Sequence, residues 1–161
     1  MQSALDEAAR GLAAGLMPIG AVLVCEGDVL ARAHWRGIVD GLLAHPEHEV
    51  LVECDPRVAQ VQRRSCTLYT TLEPCLMCMG TAMSFGVGRI VFAMRAPADG
   101  AADVASRWMP RHGHPPNGVP YTVPAVEGGC DEASARALVL EWLDSGVGGA
   151  EAEFARRTLQ T

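Results

Sequence analysis

The sequence contains no lysine: all 13 of its basic residues are arginines, and 19 aspartates and glutamates give a formal net charge of −6. The arginines are scattered along the chain, apart from the pairs Arg63–Arg64 and Arg156–Arg157. A dedicated nucleic-acid-binding protein usually carries a basic stripe. The charge therefore favours a small or neutral substrate over a nucleic acid.

Long apolar runs are also missing, because no segment approaches the roughly 18 residues that a membrane helix needs. The N-terminal segment has the acidic pair Asp6 and Glu7 and no basic cluster before an apolar core, unlike a signal peptide. We therefore expect a cytoplasmic protein with no membrane contact. In that compartment six cysteines indicate metal binding, catalysis or burial rather than a disulfide framework.

A length of 161 residues fits a single domain, 1–161. Apolar periodicity and β-branched content predict alternating elements. Helices are expected at 2–15, 46–56, 75–85, 131–143 and 150–159, and strands at 21–25, 29–35, 65–72, 88–94 and 121–126. The stretch 97–120 is predicted to be irregular, with one helical turn. This order indicates an α/β protein with three layers, α/β/α, around a central mixed sheet of about five strands.

Two short motifs carry metal-binding and proton-transfer groups. His45-Pro46-Glu47 opens a predicted helix, and Cys75 and Cys78 are spaced C-x-x-C where a strand is followed by a helix. Two thiolates and one imidazole make a three-ligand zinc site with a fourth position open for water, as in catalytic zinc proteins. Zinc lowers the pKa of such a water, and Glu47 could carry its proton without binding the metal.

Each motif has a simpler interpretation. A C-x-x-C pair between a strand and a helix also occurs in thiol oxidoreductases, or it can supply half of a four-ligand structural zinc site. Glu47 would suit a helix N-terminus through the helix dipole alone, and His45 could be an ordinary surface histidine. The two motifs together, in this order and on these elements, favour the catalytic zinc site.

Four segments together resemble the cytidine/deoxycytidylate deaminase superfamily, and within it the tRNA-adenosine deaminase and small-base deaminase branch. The resemblance covers nearly the whole chain and is densest around the two motifs. The segments are MPIGAVLVCEGDVLA (17–31), HPEHEVL (45–51), LYTTLEPCLMCMGTAMSFGVGRIVFAMR (68–95) and GGCDEASARALVLEWL (128–143). Members of this superfamily remove an amino group from a heterocycle with a zinc-activated water and a glutamate acid/base. The resemblance implies the cytidine-deaminase-like fold.

Carried over residue by residue, the resemblance implies that His45, Cys75 and Cys78 bind Zn²⁺, one ion per chain, and that Glu47 shuttles protons. It also implies a dimer, expected here as a homodimer with the 75–85 helix near the interface. Three further residues are expected to line the substrate site through backbone groups: Thr71, Leu72 and Glu73.

Two positions depart from the pattern of the resembled branch. The middle residue of H-x-E is usually small and offers a backbone N–H to the substrate ring, whereas Pro46 has no N–H. An asparagine that usually holds the base or ribose is also missing, and its position falls at His34 or Trp35. An aromatic ring there could stack on a flat substrate. Both changes indicate an altered substrate pocket around an unaltered zinc centre.

The leading hypothesis is a zinc-dependent hydrolase that deaminates a small amino-heterocycle, a nucleobase, nucleoside or related metabolite. The alternative within the same class is a tRNA adenosine deaminase. An alternative of another class is an inactive, zinc-binding homologue that serves as a scaffold or partner subunit, for which Pro46 is the best argument.

Overall fold

The computed structural model describes residues 1–37, 40–59, 62–108 and 121–160. Its strands are β1 (Gly20–Cys25), β2 (Asp28–His34), β3 (Cys66–Leu72), β4 (Arg89–Met94) and β5 (Ala125–Glu127). They form one sheet in the order β2-β1-β3-β4-β5. β1 is antiparallel to β2 and β3, whereas β4 is parallel to both β3 and β5. The sheet is therefore mixed, as predicted.

Helices cover both faces of this sheet. They are α1 (Gln2–Ala13), α2 (Pro46–Cys54), α3 (Leu76–Phe85), α4 (Ala102–Arg107), α5 (Glu132–Asp144) and α6 (Gly149–Thr158). One apolar cluster joins α2, α3 and α4 to the sheet, and it includes Val50, Leu68 and Met79. A second joins α1, α5 and α6 to the opposite face, around Leu5 and Val139. This confirms the three-layer, cytidine-deaminase-like α/β/α fold.

The stretch 97–120, predicted to be irregular with one helical turn, contains one short helix in its described part. Its first part contains α4, and residues 109–120 lie outside the described part of the chain. β5 is shorter than the predicted strand 121–126, because Pro124 cannot donate to a ladder and the strand begins directly after it. None of the described helices is long and apolar enough to cross a membrane.

The cysteine content predicts no disulfide framework, but two of the six cysteines are paired. Cys25 at the end of β1 lies directly opposite Cys66 at the start of β3, and the two form a disulfide. The prediction of unpaired thiols is wrong for these two positions, because sequence spacing gives no sign of cross-strand register. Cys54 is a free, buried thiol, and Cys130 is free and half-buried.

Candidate active site

The starts of two helices bring the two motifs together. His45 occupies the N-cap position of α2, where Pro46 is the first helical residue, and Cys75 occupies the N-cap position of α3. Proline suits this place because its fixed φ fits the first turn and its missing N–H would have no helical partner. Cys78 follows in the first turn of α3 and is fully buried. The structure thus places the three predicted ligands side by side.

The spacing of the three ligand side chains fits a zinc ion. Cys75 Sγ lies 3.6 Å from His45 Nδ1 and 3.6 Å from Cys78 Sγ, and the three ligand atoms are all within 4.8 Å of one another. Tetrahedral zinc with ordinary bond lengths separates two thiolate sulfurs by about 3.8 Å and a sulfur from an imidazole nitrogen by about 3.6 Å. His45, Cys75 and Cys78 therefore suit three of the four tetrahedral positions.

Electrostatics at the helix starts favour a thiolate. The 3.6 Å contact between the sulfurs of Cys75 and Cys78 lowers the pKa of Cys75 to about 4, and His45 adds to this effect. The hydrogen bond between His45 and Cys75 raises the pKa of His45. The contact with Cys75 and burial together raise the pKa of Cys78. Cys75 is thus ionised at neutral pH, in the state in which sulfur binds a metal.

Glu47 lies beside this cluster, and within the described part of the chain it forms no ion pair. Thr70 in β3 donates a 2.7 Å hydrogen bond to its Oε1, and Cys78 Sγ is 3.6 Å from its Oε2. Burial raises the pKa of Glu47, and the hydrogen bond from Thr70 opposes this shift. A buried carboxyl with a raised pKa can both accept and release a proton near neutral pH, as a general acid/base requires.

A pocket of about 220 Å³ opens over Glu47 and Cys75. This volume is below the usual range for drug-sized ligands, so the pocket suits a single ring system. Its polar lining comprises His45, Glu47, Glu73, Cys75, Asp99 and Glu151, and its apolar lining comprises Met17, Ile19, Trp35, Pro46, Leu72, Ala150 and Phe154.

Of the two candidates for the missing asparagine, the structure brings Trp35 to the pocket. Its ring meets the His45 ring edge-on, with 5.2 Å between centroids, and its Nε1 donates a 2.9 Å hydrogen bond to Glu151 of α6. His34 points to α1 instead, where its Nδ1 lies 3.5 Å from Glu7 Oε2. Successive strand residues face opposite sides of a sheet, which explains why His34 and Trp35 point in different directions.

The other three expected lining residues have different surroundings. Leu72 and Glu73 line the pocket, whereas the Thr71 hydroxyl accepts a hydrogen bond from Gly20 N–H inside the sheet. The Glu73 carboxylate turns away to accept hydrogen bonds from the N–H groups of Ala96 and Ala102. Glu73 thus fixes the segment that carries Asp99 to the pocket.

Several residues at the site were not predicted from the sequence, among them Thr70, Asp99, Glu151 and Phe154. Successive side chains of β3 point to opposite faces of the sheet, so Thr70 lies on the face away from Thr71. This alternation is a sequence signal that could have identified Thr70. The segments that carry Asp99, Glu151 and Phe154 hold no catalytic motif. Only the tertiary fold brings them to the pocket.

Comparison with known proteins agrees with this geometry. The family model for the cytidine and deoxycytidylate deaminase zinc-binding region matches residues 1–94. The chain therefore belongs to this family of zinc-binding deaminases, and zinc is the metal that the cluster of His45, Cys75 and Cys78 suits.

Individual relatives refine the comparison. The tRNA-specific adenosine deaminase of Bacillus subtilis is 38% identical over 103 residues, which cover 63% of this chain and 64% of that protein. The match thus spans less than two thirds of that relative. A chain from a structural study of A-to-I editing by tRNA:A34 deaminases aligns with a TM-score of 0.65 and 32% identity, over 86% of this chain and 96% of that one. A guanine deaminase from Nitrosomonas europaea, at 23% identity and TM-score 0.62, covers 88% of this chain and 81% of its own and is similar in fold alone.

Proposed function

We propose that this protein is a hydrolase that removes the exocyclic amino group of an adenine-type ring, with adenosine in tRNA as the first candidate substrate. The observation that carries the reaction type is the buried Glu47 beside three zinc ligands, beneath a pocket the size of one ring system. The relatives named as tRNA adenosine deaminases support the substrate.

Held by His45, Cys75 and Cys78, zinc would supply a water of lowered pKa as the nucleophile. Glu47 would take one proton of that water at its carboxylate and pass it to the ring nitrogen as the water oxygen bonds to the ring carbon. It would then take the second proton from the same oxygen and deliver it to the amine, which leaves as ammonia when the C–N bond breaks. Thr70 holds Glu47 in place through this sequence. Trp35 packs against the His45 ring and limits its rotation.

A free heterocycle is the second candidate substrate, and two observations favour it. The chain has a net charge of −6 and no lysine, whereas tRNA binding draws on cationic contacts to phosphates. In addition, α6 places Ala150, Glu151 and Phe154 in the wall of the small pocket. The leading hypothesis from the sequence, a small-molecule deaminase, is therefore ranked second here, because the named relatives support tRNA adenosine better.

The test is ammonia release by zinc-loaded protein from a tRNA anticodon stem-loop, from nucleosides and from free bases, with Glu47→Gln as the control. Release that disappears in the control supports the reaction, and the compound that responds identifies the substrate. Turnover of the stem-loop alone, weakened by salt, indicates tRNA. A zinc-replete protein that releases ammonia from none of them would contradict the proposal and favour an inactive homologue.

A further inference from the structure

Most polar groups of the pocket already have a partner or a role. His45, Cys75 and Glu47 form the zinc and proton-transfer site, and both carboxylate oxygens of Glu73 accept backbone N–H groups. Asp99 lies where its charge acts on Cys75 and His45. The polar groups of a ligand pocket fix the orientation of the ligand. Among the described lining residues on the α6 side, the carboxylate of Glu151 is the polar group that has no assigned role.

The Glu151 carboxylate is held in a fixed orientation. Its Oε1 accepts the 2.9 Å hydrogen bond from Trp35 Nε1, and Trp35 is almost fully buried. Within the described part of the chain its second oxygen makes no hydrogen bond or ion pair. One indole ring separates Glu151 from His45. An oriented acceptor thus faces the pocket at a distance from the reaction centre.

We propose that Glu151 is a specificity-determining residue, which accepts a hydrogen bond from a neutral donor on the substrate, away from the amino group that is removed. This inference rests on the proposed function of the same site. An ionised carboxylate only accepts hydrogen bonds, so the donor is a ring N–H of a free base or a ribose hydroxyl of a nucleoside. A phosphate group at this position would be repelled.

The apolar surroundings strengthen this selection. Trp35 and Phe154 flank Glu151 in the pocket wall, so a substrate without a donor there would leave a desolvated acceptor unpaired, which is costly. The residue therefore takes the positioning task for which the resembled branch uses an asparagine. It performs this task from α6 rather than from the segment before His45.

Binding to an inactive protein tests the inference apart from turnover. Calorimetry on zinc-loaded Glu47→Gln protein compares 9-methyladenine, which has no donor besides its amino group, with adenine, which adds a ring N–H, and adenosine, which adds ribose hydroxyls. We expect adenine or adenosine to bind roughly ten- to a hundred-fold more tightly than 9-methyladenine. The preferred compound identifies the donor.

The second variant is Glu151→Gln in the same background. A glutamine can still accept the Trp35 hydrogen bond through its oxygen, but it then presents an NH₂ group to the pocket. We expect the preference for the donor-bearing compound to disappear. Glu153→Gln is the matched control, because it removes the same charge from an exposed position of α6 and should keep the preference.

Two results would overturn the inference. One is an equal preference in Glu151→Gln and in the control, which would mean that Glu151 only stabilises the position of α6. The other is no binding of any of the three compounds. Failure of the proposed reaction gives a different result, since ammonia release would then be missing from every substrate while the binding preference could persist.

Discussion

Thr70 and Glu47 are both buried, and the Thr70 hydroxyl donates a 2.7 Å hydrogen bond to Oε1 of Glu47. This contact connects the first turn of α2 to the central strand β3. It leaves Oε2 of Glu47 directed to the side of Cys78, 3.6 Å from its sulfur. The orientation of the acid/base is therefore set by the sheet through one carboxylate oxygen and by its contact with Cys78 through the other.

Replacing Thr70 by valine tests this relationship. The hydrogen bond lowers the pKa of Glu47 against the effect of burial, so Thr70→Val should raise that pKa further. We expect the acidic limb of the kcat profile to move to higher pH and kcat at neutral pH to fall roughly ten- to a hundred-fold. Thr70→Ser retains the hydroxyl and should remain close to the wild type. Identical pH profiles for Thr70→Val and the wild type would contradict this role.

The stability of the metal-free protein should depend on the ionisation of Glu47. Its pKa in the folded state is raised above the ordinary 4.5 by burial, so the folded state is favoured while the carboxyl is protonated. That contribution is fully present below pH 4.5 and is lost as the pH rises through the folded-state pKa. Glu47→Gln cannot ionise. We expect its free energy of unfolding to match the wild type near pH 4 and to exceed it increasingly at higher pH.

Urea denaturation with a chelator present measures this difference. Glutamine can accept the same hydrogen bond from Thr70, so the comparison isolates the charge. A gap between the two proteins that stays constant from pH 4 to 8 would show that the carboxyl does not titrate differently in the folded state.

Zinc content is the direct measurement on the cluster. The wild type should hold one zinc per chain, whereas Cys75→Ser and His45→Ala should lose it, because each removes one of three protein ligands. Since a ligand of the folded state stabilises it, a chelator should lower the Tm of the wild type and leave that of Cys75→Ser unchanged. Cys130→Ser, a free cysteine outside the cluster, should keep its zinc. Retention of full zinc by Cys75→Ser would rule out the proposed ligand set.

The segment after β4 gives a prediction on packing. A Cβ at Gly100 would lie 2.5 Å from the Glu73 carboxyl carbon and 2.7 Å from the Ala96 carbonyl oxygen. Gly100→Ala should therefore lower the free energy of unfolding by about 1–3 kcal/mol and displace Asp99 from the pocket. Gly148→Ala meets nothing within 4 Å and should stay within about 0.5 kcal/mol of the wild type. Equal stability of the two variants would contradict the tight packing around Glu73.

The sequence predicted the fold and the metal cluster well, because both depend on local signals. Proline at the first helical position marks the start of α2, and the C-x-x-C spacing places two thiols in one turn of α3. The pocket wall could not be predicted. Whether His34 or Trp35 faces the site depends on the register of β2, and the approach of Glu151 depends on how α6 packs across the sheet. The homodimer and the cytoplasmic location stay predictions.

The position of α6 separates part of the pocket wall from the residues of the proposed reaction. The family model covers residues 1–94, which include the three zinc-binding side chains and Glu47, while Ala150, Glu151 and Phe154 of the pocket lie beyond them. A substitution in α6 can therefore alter the pocket wall without changing the three zinc-binding side chains or Glu47. Chains that share the two motifs can therefore be compared at the pocket-lining positions of α6, which lie outside the range of the family model.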